Sequence, residues 1–141
     1  MYHRGMGHMT EFLPKYSETT RDIRVTVAPE YIPEASDEIA SQYAFAYHVK
    51  IENLGAETVQ LIERHWKIYS AGKQIGEVVG PGVVGHQPVL AEGGSFEYTS
   101  GSEIKDRDGY MEGTYSFQGQ DGRLFFVVIP RFYLIYPTAI N

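Results

Sequence analysis

Between Tyr43 and Glu52 the chain alternates without a break. Tyr43, Phe45, Tyr47, Val49 and Ile51 take one parity; Ala44, Ala46, His48, Lys50 and Glu52 take the other. A period of two held this long places every second side chain on one face of an extended strand. A helix would scatter the same apolar residues around its axis. The segment therefore reads as a central strand with one buried face, and whatever the chain folds into must supply an apolar layer opposite it.

The rest of the chain supplies partners of the same kind. Ile23, Val25 and Val27 alternate with Arg24 and Thr26. From Val59 to Tyr69, Ile62, Arg64, Trp66 and Ile68 share one parity, and Leu61, Glu63, His65, Lys67 and Tyr69 share the other. Gln74 to Val79 and Ser95 to Ser100 are shorter extended runs, with Tyr98 to Gly101 read as a strand end and turn. Asp108-Gly109 opens a strand with Met111, Gly113, Tyr115 and Phe117 on one face. Leu124 to Ile129 and Phe132 to Tyr136 stand on either side of Pro130. Turn signals separate these runs: Asn53-Leu54-Gly55, Gly72-Lys73, the Gly- and Pro-rich stretch 80–88, Gly93-Gly94 and Asp121-Gly122. Residues 34–42 fit one helical turn or an irregular crossover. No segment beyond residue 20 carries a capped 3.6-residue period. Many short strands at this spacing predict an all-β fold, an immunoglobulin- or fibronectin type III-like β-sandwich.

A chain of 141 residues suits one domain. Residues 1–20 are polar and unpatterned, and Gly7-His8-Met9 resembles the scar of a cleaved expression tag. The expected organisation is a flexible, partly tag-derived tail over residues 1–20 and a folded domain over residues 21–141. Eleven Tyr and seven Phe favour pleated, half-buried surfaces. A net charge of −6 with scattered basic residues argues against a nucleic-acid partner. No apolar run reaches the length of a membrane span, so no membrane partner is expected. With no Cys there is no disulfide framework and no thiolate metal site. The expected location is cytoplasmic.

Gly80-Pro81-Gly82-Val83-Val84-Gly85 spells GxGxxG. In dinucleotide-binding units that motif joins a strand to a helix, whose N-terminus receives a pyrophosphate. Here Pro88 and Gly93-Gly94 follow too soon for a useful helix, and Pro81 removes one backbone donor. The glycines are read first as turn formers. A small anion nest of free N–H groups at Gly80, Gly82 and Gly85 is the alternative. Glu63, His65, His86 and Glu97 are the residue types that hold Zn, Co or Ni, but their spacing matches no defined site. They are read as a solvated surface, and no metal site or cofactor is expected. His3 and His8 belong to the tail. Arg64 shares a parity with Ile62, Trp66 and Ile68, so its guanidinium needs a carboxylate or several backbone carbonyls. Ser95, Thr99, Ser100 and Ser102 lack the strand–helix elbow of a nucleophilic serine, and no catalytic residue is assigned.

Six blocks in order resemble the ApaG family. They are Tyr43 to Tyr47 leading to Ile51-Glu52-Asn53-Leu54-Gly55; Arg64-His65-Trp66; Gly80 to Gly85 with Gln87-Pro88; Phe96 to Gly101; Gly109 to Tyr115; and Ile129-Pro130-Arg131-Phe132. Pro81 and His86 depart from the residues more usual there. The resemblance implies a fibronectin III-like sandwich and an association with cobalt tolerance and magnesium efflux. It further implies a protein-interaction role, with pyrophosphate or nucleotide binding at the glycine loop as the alternative. The expected protein is thus a non-catalytic binding module. Its candidate anion- or partner-binding surface is Gly80, Gly82, Gly85, Arg64 and His65, and its expected partner is another protein. A homodimer through an exposed sheet edge is compatible with this fold.

Overall fold

The computed structural model describes residues 13–137; the expected tag scar, His3 and His8 lie outside the described residues. The strands are β1 (Tyr16–Thr20), β2 (Ile23–Tyr31), β3 (Tyr43–Asn53), β4 (Val59–Ser70), β5 (Lys73–Pro81), β6 (Val89–Leu90), β7 (Ser95–Ile104), β8 (Asp108–Gln118) and β9 (Leu124–Ile135). A single 3₁₀ turn, Pro33–Ala35, interrupts the crossover between β2 and β3. One antiparallel sheet has the order β1-β2-β3-β7. The other has the order β5-β4-β8-β9, with β6 beside β4. The two form the β-sandwich that the alternation predicts.

The core lies between the sheets. Val25, Val27, Phe45, Tyr47, Val49 and Ile51 come from one sheet and Leu61, Trp66, Tyr115, Phe117, Ile129 and Phe132 from the other. Burying side chains of this size is worth roughly 1.5–3 kcal/mol each. Trp66 is the hub, with ring centroids 5.4 Å from Tyr47 and 5.7 Å from Phe132.

The first strand begins at Tyr16, inside the segment the sequence assigns to a flexible tail. It pairs along β2 from Tyr16↔Val27 to Thr20↔Ile23. Polar composition hid it, because an edge strand buries little of itself. Its outer neighbour in space is β9, where the Val128 N–H donates to the Thr20 hydroxyl at 3.1 Å.

Several strands depart from their sequence patterns. β7 continues through Tyr98–Gly101 to Ile104, held by β3 along its whole length. β9 runs unbroken past Pro130, because a bulge between its pairs with Met111 and Gly113 receives the proline. β4 departs from strict alternation. A bulge between Leu61 and Glu63 resets its phase, so that Leu61 and Trp66, of opposite parity, are both buried.

Candidate functional site

The glycine run ends β5 and forms a tight hairpin beyond it. Val83 and His86 exchange both backbone hydrogen bonds at 2.8 Å. Between them Val84 and Gly85 take φ of +43° and +82°, the pair of left-handed conformations a two-residue turn requires. Gly82 has φ +62°, and a Cβ there would stand 2.2 Å from the His86 carbonyl oxygen. Its amide donates to Ile62 O at 2.9 Å. Val83 is buried in the core cluster, while Val84, Gly85, His86 and Gln87 are exposed. The amides of Gly82, Val83 and His86 are therefore engaged within the hairpin and on β4. The loop is a built tip with a plugged base.

Arg64 explains the base. It sits opposite Gly80 on β5, and its Nη1 donates to Pro81 O and Gly82 O, each at 2.9 Å. Of the two partners its parity calls for, a carboxylate or several backbone carbonyls, it takes the carbonyls. A Cβ at Gly80 would meet the guanidinium at 3.2 Å, so the first glycine of the motif makes room for the arginine. The same cation faces three interior tyrosines. The Tyr98 and Tyr115 hydroxyls lie 2.5 Å apart. Burial holds both well above the usual tyrosine range, with Arg64 opposing the shift. Burial raises Tyr47 in the same way, against a hydrogen bond to Ser100 and the charge of Arg64.

His65 points the other way, onto the outer face of the β4 sheet, with Nε2 2.5 Å from Glu77 Oε2. Trp66 lies in the core. The three consecutive residues thus go to hairpin base, outer face and interior. The candidate metal set does not assemble either. Glu97 on β7 lies opposite Lys50 of β3, in the sheet that does not contain β4, and His86 packs its ring 5.7 Å from Phe96. Among the described residues no group of three or more His, Asp or Glu is placed to hold a metal ion. None of the described helices is long and apolar enough to cross a membrane.

Sequence reasoning passed over one polar cluster. His48 Nε2 lies 2.9 Å from Glu30 Oε1, and Nδ1 lies 2.9 Å from the Thr99 hydroxyl. The three residues come from β2, β3 and β7. The imidazole and carboxylate are 3% and 7% exposed, which makes the contact a buried pin across three strands. Glu30 and Thr99 each have further interactions. The available signal was His48 itself, the polar member of a parity otherwise begun by Ala44 and Ala46.

Comparison with known proteins places this geometry. The sequence pattern of the ApaG domain matches residues 33–119. The ApaG protein of Rhodospirillum centenum is 51% identical over 122 residues, covering 86% of this chain and 94% of that one. The ApaG protein of Bordetella pertussis is 46% identical over 120 residues, covering 85% and 92%. The crystal structure of the putative ApaA protein from Bordetella pertussis superposes with a TM-score of 0.80 at 47% identity, covering 84% of this chain and 96% of that one. A second X-ray structure gives a TM-score of 0.78 at 37% identity, covering 86% and 92%.

Proposed function

The chain belongs to the ApaG family, and from that premise we propose that it is a non-catalytic interaction module of the cytoplasm whose contact point is the hairpin tip. The observation that carries the reading is the construction of that tip. Arg64 ties the carbonyls at its base, Val83 anchors it in the core, and two left-handed residues fix its turn. Val84, Gly85 and His86 are thereby held exposed in one conformation. A loop ordered before binding gives up little entropy when a partner arrives. On this reading the family's association with cobalt tolerance and magnesium efflux acts through the partner.

A photo-crosslinking side chain at His86 tests the proposal in cells. A discrete protein adduct at position 86, absent from a control at Glu103 on β7, is expected. Adducts equal at both positions would refute it, as would a turnover abolished by one substitution. The second reading is a pyrophosphate or nucleotide site at the same tip. It is favoured by the amides of Val84 and Gly85, which make no hydrogen bond within the hairpin. Saturable heat on calorimetric titration with pyrophosphate or ATP would favour it over the first.

A further inference from the structure

The outer face of the β4 sheet holds a concavity of about 420 Å³, remote from the interior that Arg64 faces. It lies beside the β9 bulge opposite Glu112, and Gly113 of β8 is among the residues that line it. Its floor includes Val128, and Glu18, Lys67, Thr114 and Arg131 stand around it. Gly113 is there by necessity, since a Cβ would overlap the His65 carbonyl oxygen.

The charges at this site divide into matched and unmatched. Arg131 is matched: its Nε and Nη2 both lie 2.9 Å from Glu112 Oε1, and its guanidinium stacks 4.2 Å above the Tyr110 ring. His65 is matched by Glu77. Among the described residues, the Lys67 ammonium, the Glu18 carboxylate and the Thr114 hydroxyl have no hydrogen-bond or ion-pair partner. The site's free valence is one positive group on β4 and one negative group on β1, with an apolar floor between them. Val128 is 36% exposed there, and Phe126 on the same strand is 69% exposed.

We propose that this concavity binds an extended polypeptide segment carrying an acidic side chain for Lys67, an apolar one for Val128 and a basic one for Glu18. β4 and β9 stand two strand spacings apart, about 10 Å. An extended chain covers that in about three residues, so the acidic and apolar side chains of the segment fall two to four residues apart, and the basic one follows beyond the apolar one, toward Glu18 on β1 beside β9. The inference rests on the interaction-module reading and adds a second contact surface to it.

Random dodecapeptides displayed on phage and selected on the whole chain test it. Enrichment of an acidic–apolar–basic pattern is expected. Affinity for the best peptide should fall at least about tenfold in Lys67→Glu and in Glu18→Lys. The double variant Lys67→Glu/Glu18→Lys should regain binding to the same peptide with its acid and base exchanged. Thermal melts of the three variants confirm that each is folded. Three results would overturn the site: no such pattern, binding indifferent to Lys67→Glu, or a double variant that fails to accept the exchanged peptide. Binding lost in His86→Ala but kept in Lys67→Glu would also overturn it, while leaving the hairpin reading intact.

Discussion

Replacing each glycine of the hairpin by alanine separates a structural turn from a ligand cradle. At Gly85, φ is +82° and no atom lies within 4 Å of an added Cβ. Gly85→Ala therefore incurs only the left-handed conformation, about 1–2 kcal/mol. At Gly82 the same backbone cost applies at φ +62°, and the Cβ arrives 2.2 Å from His86 O. The backbone must move, and the paired hydrogen bonds between Val83 and His86 weaken with it, at about 0.5–1.5 kcal/mol each. Gly82→Ala should then cost about 3–4 kcal/mol, some 2 kcal/mol more than its neighbour. In a domain of this size the two variants should melt about 10 °C and about 4 °C below the parent. Urea unfolding followed by Trp66 fluorescence gives the free energies directly, since Trp66 is the sole tryptophan and is 3% exposed. Gly85→Asn should recover much of the loss, because asparagine tolerates the left-handed region. Equal costs at both positions, or a neutral Gly82→Ala, would refute the argument. The same numbers warn that ligand loss in Gly82→Ala reports on the site only when the fraction folded is measured beside it.

Arg64→Met should destabilise by about 2 kcal/mol, because Pro81 O and Gly82 O lose a charged donor at a half-buried position; a neutral result in denaturant titration would refute the clamp. Tyr98→Phe and Tyr115→Phe should each cost about 1–3 kcal/mol by leaving one hydroxyl unpaired in the core. The double variant should cost less than their sum in a mutant cycle. Both hydroxyls stay protonated in the fold above their ordinary value near 10, whereas the unfolded chain releases them there. Their contribution is therefore intact below pH 10 and declines as pH rises beyond it, by about 1.4 kcal/mol per pH unit per tyrosine. Removing both should flatten the alkaline limb of a pH–stability curve. Glu30→Ala should cost about 1–3 kcal/mol by leaving the Nε2 of buried His48 without its partner, and Glu30→Gln clearly less; equal losses in equilibrium unfolding would count against the pin.

The alternation of Tyr43 to Glu52 and the turn signals around it were enough to specify a sandwich, because a one-sided strand dictates its own burial. What escaped were breaks in period. The bulge at Ile62 and the one that seats Pro130 each change phase by one residue, and nothing in a single sequence marks where an extra residue will be absorbed. For Arg64 the chemistry was legible in outline: a guanidinium of inward parity needed a carboxylate or several backbone carbonyls, and it is the carbonyls that it finds. The direction of His65 was legible too, but Glu77 as its partner was not, since cross-strand neighbours follow from register. Glu30, His48 and Thr99 are far apart in sequence, and only the pairing of three strands joins them.

The short strand β1 has a bearing on how the domain behaves outside its fold. It lies along the last unpaired side of β2 and gives the Thr20 hydroxyl to the Val128 amide of β9. A chain trimmed to start at residue 21 would bare two raw strand borders at once. Beside them sit Phe126 and Leu124, 69% and 62% exposed, a combination that invites intermolecular strand addition. Such a fragment should keep its secondary structure yet come out of solution on concentration, clouding where the chain with β1 stays clear. Five polar-looking residues would then be the difference between a monodisperse protein and a precipitate.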